Sequence, residues 1–554
     1  MQEITATLKK AVKELFNEDV EPELTRPDEQ FGDFATNIAL QLGGRLNKNP
    51  REIAVALASK LHGQDGIAEV NIAGPGFINI KFSNEALLKS LNQKPPKTFE
   101  GKIVVAEYSD PNPFKVLHAG HLYTTVVGDA IANFIENAGG SVHRVNFGGD
   151  VGRHVAITMW AIIKELRGEN PEKLQEVDAE KRLEWISAQY VKGNNAYAED
   201  EAAKAEIGEL NKRVYRLHEQ NDHDSAFAQI YWTCRQWSYD GFGKLYQQLG
   251  VKPFEKYYPE SQTTPLGIEA VTAQKEKGVF EESDGAVIYK GEKDGLHTRV
   301  FITSAGLPTY EAKDLGLSLA KWRDYRFDEN VIITANDITE YMKVVMAALA
   351  HFEPELPKRT RHLTHGIVKL AGGVKMSSRK GNILRAVDIL DVAAEANRKI
   401  SSNDDERITL GAVKYAFLKN RIGADIIYDP EESVSLVGNS GPYLQYAHAR
   451  ARNILAKAGK STEAEHSNLD VNERSLAKKL GEYAESVEKA TKELMPHHVA
   501  TYLYELSQVF NRFYEKSRVI DDPREAIRLE LVRKYADTLK DGLGLLGIAA
   551  PDKM

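Results

Sequence analysis

The sequence predicts an α/β fold: a doubly wound, Rossmann-like parallel sheet with an inserted α/β subdomain, an α+β domain ahead of it and an all-α helical bundle behind. Three observations lead there. A strand–loop–helix–strand pattern runs from Lys102 to Asn146, the βαβ unit from which such sheets are built. Charged helices with a few strands, from about residue 156 to 299, part it from a later apolar strand at Val331-Ile-Ile-Thr334. Beyond about Ser401 helical periodicity dominates. The expected division is 1–97, 98–400 with its insertion at about 156–299, and 401–554.

The elements follow in order. Ile4, Leu8, Ala11, Val12 and Leu15 have helical spacing, and Ile78, Ile80 and Phe82 alternate with polar residues after the tight Gly74-Pro75-Gly76 turn, as a half-buried strand does. Asn92 to Lys97, with two adjacent prolines, reads as a linker. Lys102 to Glu107 is a short buried-type strand, and Tyr108 to Lys115 a proline-broken loop. A helix then carries Val127, Ile131, Phe134 and Ile135 on one face until Gly139-Gly140 stops it. Val142 to Asn146 is the next strand. In the tail, Val499, Tyr502, Leu503, Leu506, Phe510 and Phe513 form a clear apolar stripe.

Composition bounds the function. The 554 residues, 42% hydrophobic and 27% charged, suit a soluble multidomain protein. No window approaches a membrane span, and Met1-Gln-Glu-Ile-Thr-Ala lacks a basic stretch before an apolar one, so a cytoplasmic protein is expected. The single cysteine, Cys234, excludes an intramolecular disulfide, argues against cysteine-held zinc and reads as a packing residue. A net charge of −8 gives no global pull toward nucleic acid. Locally, Leu356 to Val387 has no acidic residue, while Lys358, Arg359, Arg361, Lys369, Lys375, Arg379, Lys380 and Arg385 crowd together; a basic face is expected there.

Two segments carry chemistry. His118-Ala-Gly-His121 opens a helix after a strand and loop, which sets two imidazoles beside a glycine where helix N–H groups favour anions. The small Ala119 and Gly120 allow a nucleotide close to the backbone, and imidazole N–H donors can follow charge building on an α-phosphate. Lys375-Met-Ser-Ser-Arg-Lys-Gly-Asn382 is a basic, hydroxyl-bearing loop suited to gripping a phosphate leaving group. Together, in this order, they suggest a site that activates a substrate with ATP.

These segments resemble the HIGH-type and KMSKS-type motifs of class I aminoacyl-tRNA synthetases. Glu107-Tyr-Ser-Asp-Pro-Asn112 and Gly438-Asn-Ser-Gly-Pro-Tyr-Leu-Gln-Tyr-Ala-His-Ala-Arg450 are similar to arginyl-tRNA synthetases in particular. So are Phe31-Gly-Asp-Phe-Ala-Thr-Asn37, Gly74-Pro-Gly-Phe-Ile-Asn79 and the closing Leu545 to Met554. The resemblance implies an arginine–tRNA ligase with arginine, ATP and tRNA(Arg) as partners, magnesium on the triphosphate, no zinc and a monomeric state. It implies that Glu107, Tyr310 and Asp314 surround the arginine side chain, with Ser109 and Asn112 at its α-amino and carboxylate end. The choice makes physical sense, because a guanidinium is planar, permanently charged and needs carboxylates for its fork of donors.

For ATP the resemblance implies His118, Gly120, His121, Asp337, Lys375 and Met376, with Ser377 and Lys380 sharing the catalytic loop. Two departures stand out. Ile338-Thr339 replaces a histidine pair common after that aspartate, and Ser378 stands where KMSKS has its second lysine. Lys115, three residues before His118, can supply the missing charge. The tail is implied to bind the anticodon, and Tyr443 and Tyr446 offer faces for unpaired bases, although aromatics at helical spacing also fill cores. The N-terminal module is implied to contact the tRNA elbow. No editing activity is expected in the insertion, because few amino acids mimic a guanidinium.

Overall fold

The computed structural model describes residues 2–115, 117–371, 384–400, 405–458 and 468–554. Among them, no helix is long and apolar enough to cross a membrane.

The N-terminal unit packs helices Gln2–Phe16, Ile38–Leu46 and Pro50–Leu61 on an antiparallel sheet. Its strands are β1 (Leu24–Thr25), β2 (Phe34–Thr36), β3 (Ile67–Ala73) and β4 (Phe77–Phe82), in spatial order β1-β2-β4-β3. The expected alternation holds in part: Ile78 and Ile80 are buried beside Leu8, Val12, Ile38 and Leu57, and Lys81 is exposed, but Asn79 is buried as well. Gly74 and Gly76 both take positive φ in the turn that joins β3 to β4, a conformation that only glycine adopts without strain.

The central unit is built on β5 (Ile103–Glu107), β6 (Ser141–Gly148), β7 (Lys256–Pro259), β11 (Glu329–Ala335) and β12 (Thr360–His365). All neighbours are parallel, in the order β12-β11-β5-β6-β7. The order reverses between β5 and β11, so a crevice opens past the C-terminal ends of those two strands. Between β7 and β11 lies a three-stranded antiparallel sheet of β8 (Glu281–Ser283), β9 (Ala286–Tyr289) and β10 (Arg299–Ile302).

This corrects the expected insertion at 156–299. The segment is not one block, because Lys256–Pro259 is the edge strand of the main sheet. Four residues ending in proline, between long helices, give too little alternation to betray a strand. Helices Arg153–Glu165, Arg182–Glu199, Glu201–Glu219 and Ala226–Leu249 precede it, and they bury Cys234 completely.

Helix Ala119–Asn137 bridges β5 and β6 and is buried around nearly its whole circumference. It lies between the sheet and the C-terminal helices Glu406–Leu418, Tyr483–Glu493 and Glu525–Leu545, which is why its polar face is missing. The bundle continues through Gly441–Lys457, Val471–Leu480 and His497–Lys516, the last of which buries the whole stripe from Val499 to Phe513. Strands β13 (Val368–Leu370) and β14 (Ile426–Tyr428) pair in parallel across the expected boundary at 400/401.

Two junctions tie the units together. Arg26 binds the Glu485 carboxylate at 3.0 and 2.8 Å, Arg474 reaches Asp33 at 2.6 Å, and the Lys478 ammonium donates to the Gly32 carbonyl at 2.7 Å. At the second junction, buried Lys414 donates to the Gly547 carbonyl at 2.5 Å. A Cβ on Gly547 would stand 3.1 Å from an Asp129 oxygen of the central helix. Beside this contact lies a cavity of about 800 Å³.

Candidate active site

The loop after β5 sets the site. Ser109, Asp110 and Phe114 all have positive φ (76°, 46° and 64°), a conformation uncommon for non-glycine residues and maintained by surrounding bonds. Asp110 Oδ1 accepts from the Phe147 N–H at 2.8 Å, and Asn112 Oδ1 from the Gly149 N–H at 2.7 Å. The Ser109 hydroxyl faces inward, 2.8 Å from both Tyr246 Oη and Thr125 Oγ1. A Cβ on Gly149 would fall 2.8 Å from Asn112 Oδ1 and 3.1 Å from Glu260 Oε1, so glycine is required where these groups converge.

His118 caps helix Ala119–Asn137: its Nδ1 accepts from the Gly120 N–H at 3.1 Å, and its own N–H donates to His121 Nδ1 at 3.2 Å. The rings lie 3.7 Å apart, centroid to centroid. Because both Nδ1 atoms accept, the neutral rings carry their hydrogens on Nε2. Burial and then Lys115 and His365 push His118 down to about 4, and burial with His118 and Lys115 pushes His121 down as well. Both are neutral donors at pH 7.

Lys115 is half-buried with its ammonium 6.0 Å over the Tyr190 ring. It forms no ion pair among the described residues, and burial lowers its pKa. Asp337 stands exposed past β11, and its charge acts on His118 and His365. His365, at the end of β12, is 2.6 Å from Thr124 Oγ1 on the central helix. Of the departures noted above, Thr339 donates its hydroxyl to the Asn336 carbonyl at 2.8 Å and starts helix Thr339–Ala350.

On the other side of β5 lies an acidic pocket. Glu107 is 3% exposed and ion-paired with the wholly buried Lys321. Asp314, 6% exposed, accepts from Tyr341 Oη at 2.7 Å. Its carboxyl is raised to about 7 by burial and by Glu107 and Glu260, against the Tyr341 hydrogen bond and Lys321. Asp110 is also raised well above the usual range, by burial and then Glu107. Glu260 pairs with Lys313 at 2.6 Å. Tyr310 is 64% exposed at the rim, with the Lys313 ammonium 5.4 Å from its ring.

Helices Glu260–Lys275 and Tyr310–Tyr325 hold these groups in register. They cross so closely that a Cβ on Gly316 would meet the Thr263 carbonyl oxygen at 2.2 Å, and one on Gly267 the Ala312 oxygen at 2.0 Å.

Of the basic loop, Lys375, Met376, Ser377, Ser378, Arg379 and Lys380 lie outside the described residues. Its downstream border is pinned beside the histidines: Ala119 N–H donates to the Leu384 carbonyl at 2.8 Å, and Ala386 N–H to Leu117 at 2.9 Å. The expected basic face is a correction, because the described part of it is neutralised by acids that flank the stretch and by others from distant segments. Lys358 pairs with Glu355, Arg359 with Asp328, Arg361 with Glu329, Lys369 with Asp425 and Arg385 with Asp388. Sequence order hid Asp328, Glu329 and Asp425, whereas Glu355 and Asp388 stand just outside the acid-free stretch.

In the bundle, Tyr443 is partly buried, and its hydroxyl accepts from Asn511 at 2.7 Å. Tyr446 is exposed, with the Arg450 guanidinium 4.9 Å over its ring. Asp110, Glu260, Lys313, Lys321, Tyr341 and His365 pair with or act on the site's groups without having been singled out. Only Asp110 carried a signal, as part of the Glu107–Asn112 stretch. Among the described residues no group of three or more His, Cys, Asp or Glu could hold a metal ion.

Comparison with known proteins adds the following. A family profile described as "tRNA synthetases class I (R), catalytic domain" matches residues 84–429. "Arginyl tRNA synthetase N terminal domain" matches 2–82 and "DALR anticodon binding domain" 444–554. The arginine–tRNA ligase of Limosilactobacillus fermentum is 31% identical over 578 residues, covering 100% of this chain and 99% of its own. That of Flavobacterium psychrophilum is 29% identical over 612 residues and covers 100% of both. The Thermus thermophilus arginyl-tRNA synthetase structure matches all of both chains at 25% identity, with a TM-score of 0.82. The Plasmodium falciparum enzyme, at 20% identity and 0.80, shares the fold over 100% of this chain and 99% of its own.

Proposed function

The chain belongs to the class I arginyl-tRNA synthetase family, and from that premise we propose how its residues share the work. The protein is an arginine–tRNA ligase. It joins arginine to AMP with release of pyrophosphate, then passes the arginyl group to the 3′-terminal adenosine of tRNA(Arg).

In this proposal Asp314 faces the guanidinium, with Glu107 fixed behind it by Lys321 and the rim residue Tyr310 covering the aliphatic stem. Asn112 stands by the α-amino and carboxylate end, and Ser109 acts on the same end indirectly by bracing the loop. The Nε2–H groups of His118 and His121 donate to phosphate oxygens as charge builds there, and Gly120 admits the nucleotide. Lys115 adds positive charge, Asp337 meets the nucleotide, and Lys375, Met376, Ser377 and Lys380 hold the departing pyrophosphate. Magnesium enters with the triphosphate as part of the substrate. Catalysis is positioning plus charge stabilisation, with no nucleophilic side chain.

Tyr446 is the better base-stacking candidate, since Tyr443 is engaged by Asn511. The N-terminal unit is assigned to the tRNA elbow. A monomer that acts in the cytoplasm, where tRNA, arginine and ATP meet, completes the proposal.

One observation carries the reading: a buried carboxylate in no ion pair among the described residues, Asp314, together with two neutral imidazoles with Nε2 donors, in a parallel sheet whose order reverses between β5 and β11. Arginine-dependent ATP–pyrophosphate exchange, with and without tRNA, tests it. Exchange should require arginine and ignore citrulline, which keeps the shape and loses the charge. Equal exchange with citrulline would overturn the assignment.

A further inference from the structure

Three carboxylates, Glu107, Asp110 and Asp314, feel the charge of one ammonium, that of Lys321. Lys321 is taken by Glu107. Asp314 and Asp110 form no ion pair among the described residues, and each has one oxygen committed to a neutral donor, Tyr341 Oη and the Phe147 N–H. Asp110 stays partly accessible although it lies deep in the fold. Successive positive φ values at Ser109 and Asp110 turn the loop back over the end of β5, which brings this carboxylate within reach of the charges on Glu107, Lys321 and Asp314.

Resting on the arginine-pocket assignment above, we propose that Asp110 is a second anionic contact for the substrate guanidinium, bracketing it together with Asp314. Glu107 then serves chiefly to hold Lys321 in place. Two anions side by side in a poorly hydrated pocket destabilise one another. A planar cation with donors on both edges bridges them and is favoured by both. Both carboxyls sit above their usual range in the free protein, so filling the pocket with a cation should drive protons off them.

Asp110→Asn is the informative variant. Asparagine keeps an Oδ1 for the Phe147 N–H and tolerates the left-handed backbone, so only the charge is lost. In pyrophosphate exchange with tRNA present, KM for arginine should rise at least about tenfold, the loss of one charged contact, with KM for ATP within about twofold. Calorimetric titration of arginine near pH 7, in two buffers of different ionisation heat, should report net proton release from the native enzyme and less from the variant.

Asp314→Asn serves as the reference. If it loses arginine activation while Asp110→Asn keeps the native KM for arginine, the Asp110 proposal falls and the pocket stands. If neither variant alters arginine KM, the pocket assignment itself falls. Equal damage to arginine and ATP KM in Asp110→Asn would mark a purely structural role and also overturn the proposal.

Discussion

Asp314 carries the sharpest consequence of burial for a single residue. With its carboxyl near 7, the free enzyme progressively loses the anion that arginine needs as pH falls below that value. KM for arginine should then climb about tenfold per pH unit, while KM for ATP stays flat; a pH series of exchange assays reads both. The stability sign runs the other way. A folded-state pKa above the unfolded value means the native form holds a proton the unfolded chain has released. Ionising Asp314 therefore costs stability as pH rises from the ordinary carboxylate range through about 7. Asp314→Asn should raise the apparent melting temperature at pH 8 while lowering arginine activation about 100-fold, as loss of a charged contact does. Lys115 offers a second residue-scale test. Its ammonium lies over the Tyr190 ring and forms no ion pair among the described residues, so Lys115→Ala should lower single-turnover adenylate formation at least about tenfold, the effect of one phosphate contact, and leave tRNA affinity within about twofold.

The pocket depends at the level of elements on two helices touching backbone to backbone. Gly316→Ala must push helix Tyr310–Tyr325 off the Thr263 carbonyl, at a cost of about 1–3 kcal/mol. Asp314 shifts with it, so a lower melting temperature should accompany a higher KM for arginine. No sequence signal marked that crossing, because Gly267 and Gly316 look like ordinary helix-weakening glycines until the facing helix is known. What could be read was periodic or contiguous: the βαβ unit around Glu107 and His121, and the stripe from Val499 to Phe513. The pairing of Glu107 with Lys321, and of Arg359, Arg361 and Lys369 with distant acids, could not be read, since Coulomb partners follow space rather than chain order. Strand β7 escaped for lack of length, and the inward turn of Tyr443 depended on Asn511 arriving from another helix.

In the whole molecule, the N-terminal unit is fixed to the bundle by cations at its edge, Arg26 reaching Glu485 and Arg474 reaching Asp33. Replacing both arginines with alanine should free that unit and weaken tRNA binding several-fold by filter or fluorescence titration, with arginine KM unchanged. Tyr446→Ala should cost about 1–3 kcal/mol of tRNA affinity if a base stacks there. The other junction works on a different clock. Asp129 belongs to a helix translated early, whereas Gly547 and its neighbours, which back that helix beside Lys414, are made far later. Until those late residues dock, the helix that presents both imidazoles has one flank bare. Enzymatic competence therefore waits on synthesis past Gly547, and recovery of activity after dilution from denaturant should trail the return of helical signal.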